Sequence, residues 1–186
     1  MHWLLMIFVL AMAAAAQPGD RLLYEQTREG VDRVLAESVA RGVRRITLVI
    51  LERGEPKPNA YGEFAMGYGG QGHDDVALPN PAFFQHLDWV LKRAAAKRIE
   101  VALLPAARDS ALIGNNSREK FFEWGRYLGR RYMKAKGLVW LRPAGGSEGP
   151  LDGIAEGIRQ FDTSHGMEDA PSSGQGAIGI HDVKDR

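Results

Sequence analysis

Residues 46–51 read Ile46-Thr47-Leu48-Val49-Ile50-Leu51, an uncharged run rich in β-branched side chains. A run this short, closed by Glu52-Arg53-Gly54, predicts a strand of a parallel sheet covered on both faces. Upstream, residues 24–41 predict a helix. Val31, Val34, Leu35 and Val39 share one face there, and Gly42 stands where a C-terminal glycine belongs. Downstream, residues 52–80 make a long loop rich in Gly, Pro, Asn and Asp. Asn80-Pro81 then opens a helix, a capping side chain ahead of proline at the first position. Phe84, Leu87, Val90, Leu91 and Ala94 form its buried face as far as about residue 98.

The same unit recurs. Val101-Ala102-Leu103-Leu104 predicts a second strand, stopped by Pro105, and Ser117 caps a helix carrying Phe121, Phe122, Trp124, Leu128 and Tyr132. Leu138-Val139-Trp140-Leu141 predicts a third strand, followed by Pro143-Ala144-Gly145-Gly146 and a helix over residues 151–161. Residues 166–186 are polar and glycine-rich without a period, which predicts an irregular C-terminal tail. A helix and then three strand–helix units predict an α/β fold with a parallel sheet and right-handed crossovers. Chemistry in such folds sits in the loops that follow the strands. Three strands leave two open edges, which favours a homo-oligomer. A closed eight-stranded barrel takes about 250 residues; this chain has 186.

From Trp3 to Ala16 the chain is uncharged, and Ala14-Ala15-Ala16 offers a small-residue cleavage site. This predicts a signal peptide over residues 1–16, cleaved near Ala16, and a secreted or periplasmic protein with no membrane association afterwards. The alternative is a retained anchor, for which the run falls short of the about 20 apolar residues a spanning helix needs. The domain itself is expected over residues 17–165.

Hydrophobic residues at 45% and charged residues at 25% exclude wholesale disorder. A formal net charge of +1 gives no overall footprint for nucleic acid or a membrane surface. The chain has no cysteine, which excludes disulfides, thiolate metal sites and cysteine nucleophiles.

Gly67-Tyr68-Gly69-Gly70-Gln71-Gly72 matches a dinucleotide-binding fingerprint in letters, but it neither follows a strand directly nor opens a helix, so it reads as a loop. His73-Asp74-Asp75 lacks a partner at ligand spacing and reads as a solvated loop; no metal or cofactor is expected. Arg126, Arg130, Arg131, Lys134 and Lys136 read as a solvated helix face. Asn115-Asn116-Ser117 is a formal glycosylation sequon. The chain contains no phosphate-binding loop or H-E-x-x-H. Carboxylates near strand ends remain: Glu52, Glu63, Asp74, Asp75, Asp109 and Glu148. Only Glu148 follows a strand closely through a tight glycine turn.

Several stretches resemble the apiosidase-like glycoside hydrolase family. They are Pro58-Asn59-Ala60-Tyr61-Gly62, residues 80–88, Leu103-Leu104-Pro105, residues 124–132 from Trp124-Gly125 to Arg131-Tyr132, and Leu138-Val139-Trp140-Leu141 with Gly145-Gly146. They occur in order over residues 25–162. The resemblance implies a partial (β/α)8 TIM barrel, with about three parallel strands each followed by a helix, here the second to fourth of eight. It also implies cleavage of glycosidic bonds in plant polysaccharides by two carboxylates. The family's Pro-x-Trp is here Pro105-Ala106-Ala107, and its Gly-Gly-Asp, whose aspartate resembles an acid/base, is Gly145-Gly146-Ser147. Ser147 does not titrate near neutral pH, so Glu148 becomes the candidate general acid, with Ser147 a candidate sugar contact. The family's nucleophile lies on a later strand.

Three expectations follow. The chain is a secreted glycosidase, truncated and weakly active or inactive by itself. Or it is a non-catalytic carbohydrate-binding or self-associating remnant, in which Asn59, Tyr61, Glu63 and Tyr68 line a sugar groove. Or it is a fragment of a longer protein. The expected partner in the first two is a glycan, with no nucleic acid.

Overall fold

The computed structural model describes residues 22–67, 72–143 and 149–171. Helix α1 (Arg28–Ala40) leads into β1 (Arg45–Leu51), α2 (Pro81–Ala96), β2 (Glu100–Ala106), α3 (Arg118–Tyr132), β3 (Leu138–Arg142), α4 (Asp152–Arg159) and β4 (Met167–Asp169). One sheet holds the strands in the order β1-β2-β3-β4, every pair parallel. The α/β alternation expected from the periodicity is therefore present, with four strands rather than three.

β4 lies where an irregular tail was expected. Its residues, Met167-Glu168-Asp169, carry no apolar run, so no hydrophobic pattern announces a strand. It is placed by tertiary partners: Trp140 N–H donates to the Gly166 carbonyl at 2.9 Å and Ala170 N–H to the Arg142 carbonyl at 2.8 Å. Ion pairs hold its two acids, Arg45 Nη2 to Glu168 Oε2 at 2.7 Å and Arg142 Nη2 to Asp169 Oδ1 at 2.8 Å.

The Arg45–Glu168 pair joins the two edge strands. In a flat sheet these would lie about 14 Å apart with side chains standing upright. The pair closes because the sheet curls, as in a barrel wall. Ile46, Leu48, Ile50, Val101, Leu103, Leu138 and Trp140 face outward and are buried beneath the helices. Thr47, Val49, Leu104 and Val139 line the inner face and are half-buried. That corrects the expectation of full cover on both faces. The run 46–51 is apolar on both sides because a barrel wall has two apolar faces, only one of which these helices cover.

α1 starts later than the periodicity suggests, at Arg28 after the cap Thr27. Leu22, Leu23 and Tyr24 are buried in a separate turn, and the Tyr24 hydroxyl donates to the Ile50 carbonyl. Helices α3 and α4 pack backbone to backbone. Cβ atoms built on Gly125 and Gly129 of α3 would meet the Ile154 and Ile158 carbonyl oxygens at 2.2 and 2.5 Å. On α4, one on Gly157 would meet the Phe122 oxygen at 2.1 Å.

At the N-terminal end of the sheet, buried Asp162 gathers donors. Trp140 Nε1–H reaches Oδ2 at 2.8 Å, the Ser164 and His165 amides reach Oδ1 at 3.2 and 3.1 Å, and His165 Nδ1 lies 2.6 Å from Oδ2. His165 Nε2 lies 2.7 Å from the Ala135 carbonyl oxygen. Burial alone would raise the Asp162 pKa. The hydrogen bonds from Trp140 and His165 outweigh it and hold the carboxyl below the usual range.

Candidate functional site

Every helix of a parallel β/α chain begins beside the C-terminal ends of the strands, so caps and functional loops share one end of the molecule. The two caps legible in the sequence are formed: Asn80 accepts from Ala82 N–H and Ser117 from Lys120 N–H. The loop after β1 is built around Asn59. Its Oδ1 accepts from the Tyr61 and Glu63 amides at 2.9 and 3.1 Å, and Gly62, at φ 80°, closes the turn. Glu63 Oε2 accepts from Asn80 Nδ2 at 2.8 Å, fastening the turn to the start of α2. The Tyr61 hydroxyl accepts from the Arg28 amide at 2.8 Å, and its ring meets His86 edge-on at 5.2 Å. Half of Tyr61, 49%, stays exposed.

Of the sequence-derived site residues, the structure thus brings Asn59, Tyr61 and Glu63 into one turn. It commits Asn59 and one Glu63 oxygen to holding that turn, which leaves the Tyr61 ring as its open surface. Removing the Asn59 side chain orphans two amides, so Asn59→Ala should lower stability by about 2 kcal/mol in urea unfolding. Tyr68, Ser147 and Glu148 lie outside the described residues.

A separate cleft opens at the end of β1, lined by Tyr24, Glu52, Lys57, Met66, His73 and Ser110 among others. Glu52 follows the last residue of β1, with Lys57 Nζ 3.9 Å from its Oε2. Burial, and then the Glu52 charge, push the Tyr24 hydroxyl far above its ordinary pKa, so it stays protonated and donates. His73 stacks on Phe64 at 3.8 Å, and its Nδ1 lies 3.0 Å from the Met66 carbonyl oxygen. The loop after β2 closes the far side: Gly54 N–H donates to the Asp109 carbonyl and Ala111 N–H to that of Gly54, both at 2.9 Å. Asp75 is held below the usual carboxylate range, first by its hydrogen bond to Lys120.

Sequence reasoning named Glu52 among the strand-end acids but missed Tyr24 and Ser110, whose positions depend on contacts distant in sequence. Among the described residues no group of three or more His, Asp or Glu side chains is placed to hold a metal ion. The cleft sets the Glu52 carboxylate, the Ser110 hydroxyl and the His73 imidazole on a concave wall, while the Tyr24 hydroxyl is spent on the Ile50 carbonyl. That set suits hydrogen bonding to polyhydroxylated ligands and proton transfer.

A curled parallel sheet with helices on its outer side and functional loops above the strand ends defines a segment of a TIM-barrel fold. The chain belongs to the apiosidase-like family, whose model, "Apiosidase-like, catalytic domain", matches residues 20–181. Among solved structures it is similar to a glycoside hydrolase family 5 protein from Bacteroides vulgatus, at 22% identity and TM-score 0.68, over 81% of this chain and 33% of that one. A second structure, described as a glycoside hydrolase, is 19% identical at TM-score 0.66, over 81% and 35% of the two chains. Endoglucanase Cel5A from Thermotoga maritima is 14% identical at TM-score 0.52, over 83% and 54%. These likenesses concern the fold. The chain spans about a third of the length of the first two. No curated protein matches it.

Proposed function

We propose that the chain contributes four consecutive strands of a secreted glycoside hydrolase acting on side chains of plant-type polysaccharides. The match of residues 20–181 to the family's catalytic domain carries this reading, supported by the cleft with Glu52 above β1. Glycoside hydrolysis needs two carboxyl groups across the scissile bond, about 5–5.5 Å apart when configuration is retained. Glu148 is the proposed general acid, and the nucleophile comes from a strand beyond these four. A closed barrel needs eight strands, so the four described strands by themselves are weakly active or inactive. The open β1 and β4 edges are where further strands, from a longer chain or a second copy, would pair.

The test is release of monosaccharide from plant cell-wall glycans, followed by chromatography. Glu148→Gln should lower the rate by about 10²–10⁴-fold. Absence of release together with unchanged behaviour of the variant would refute the enzymatic reading. Carbohydrate binding without turnover is the second reading, favoured by the exposed Tyr61 ring. It predicts glycan affinity that Tyr61→Ala abolishes and Glu148→Gln leaves intact.

A further inference from the structure

The net charge of +1 conceals an uneven distribution. Three successive helix-to-strand loops lie at the N-terminal end of the sheet, opposite the cleft. They read Arg41-Gly42-Val43-Arg44, Lys97-Arg98-Ile99 and Met133-Lys134-Ala135-Lys136-Gly137. Each supplies two cations and no acid. Arg41, Arg44, Arg98, Lys134 and Lys136 are exposed, Lys97 is half-buried, and none of the six forms an ion pair among the described residues. The backbone laces the loops together: Glu100 N–H donates to the Arg44 carbonyl at 2.8 Å and Val101 N–H to that of Gly137 at 2.7 Å. Neighbouring strands lie about 4.8 Å apart, so the three loops sit side by side along this end of the sheet.

Arg98 adds an independent observation. It is the only non-glycine among the described residues with positive φ, at 56°. It occupies the second position past α2, the place Gly42 fills at φ 79° after α1. Glycine is the unstrained choice there, and an arginine held in that conformation points to a use for its side chain.

We propose that this cationic end is a docking surface for a carboxylate-bearing polysaccharide, leaving the cleft at the opposite end free to work. The choice of polysaccharide rests on the carbohydrate reading above. The exposed large hydrophobic residues around these loops are single, Val39 and Met133, whereas a lipid-interface site presents Trp, Phe or Leu in numbers.

Affinity electrophoresis of the full chain tests this, with mobility measured against a polymer-free gel. Carboxymethyl cellulose should retard the protein and hydroxyethyl cellulose should not, and salt of about 0.3 M should abolish the effect. The triple variant Arg44→Gln, Arg98→Gln, Lys136→Gln should bind about tenfold more weakly. A control of equal charge on outer helix faces, Arg33→Gln, Lys92→Gln, Arg130→Gln, should bind like the parent. Arg98→Gly should raise the melting temperature while weakening retardation, which a purely structural arginine would not do. The proposal is overturned by no retardation, equal retardation in both polymers, equal loss in the control, or stronger binding to phosphatidylserine vesicles than to carboxymethyl cellulose. Sugar release from a neutral substrate is followed in parallel. Release without retardation refutes the docking surface alone, and retardation without release leaves it standing.

Discussion

Replacing Asp162 with alanine should destabilise the protein by about 4 kcal/mol. Its carboxylate is fully buried and accepts from Trp140 Nε1 and from the Ser164 and His165 amides. Truncation strands these donors in the interior and cuts the tie between β3 and the segment that delivers β4. Asp162→Asn keeps one acceptor oxygen and should cost about half as much. The pH dependence follows from the lowered carboxyl pKa. A depressed folded-state value contributes stability that is complete above the unfolded value, about 3.9. That contribution disappears as pH falls through the folded value. The wild type should therefore lose stability below about pH 4 more steeply than Asp162→Asn. Urea unfolding at a series of pH values measures both, and parallel curves would show that Asp162 is not charged in the native state.

Gly157→Ala should cost about 3 kcal/mol, lowering the melting temperature by about 6–12 °C. The added methyl would stand 2.1 Å from the Phe122 carbonyl oxygen and 2.7 Å from the Arg126 amide. Both are backbone atoms inside α3, so relief requires the two helices to separate. Alanine is otherwise the better helix former by about 1 kcal/mol, so a destabilising result isolates the packing cost. At Gly114, where nothing lies within 4 Å of a built Cβ, the same substitution should be nearly neutral. Calorimetry on the pair decides; equal effects at both sites would contradict the close crossing.

The glycines at 125 and 129 fall within residues 124–132, one of the stretches that resemble the apiosidase-like family. Trp124 is fully buried in the core, and the two glycines let α4 approach. That pattern of large and small side chains is a requirement of packing, and it is legible in a sequence because packing allows few substitutes.

The sequence by itself determined the α/β class, the parallel order, the caps at Asn80 and Ser117 and the family. Each of these rests on local chemistry: apolar period, capping oxygens, and glycine or proline at fixed offsets. Only the tertiary structure decided the fourth strand, because Met167-Glu168-Asp169 is held by main-chain hydrogen bonds to β3, with Arg45 and Arg142 pairing its acids, rather than by its own propensity. Only it showed that Asn59 and Glu63 build their turn instead of opening a groove, and that Tyr24 and Ser110 line a cleft with Glu52 at the end of β1. It also gathered three ordinary-looking basic loops into one surface. Side chains far apart in sequence share an environment only once the chain curls, and no local pattern encodes that proximity.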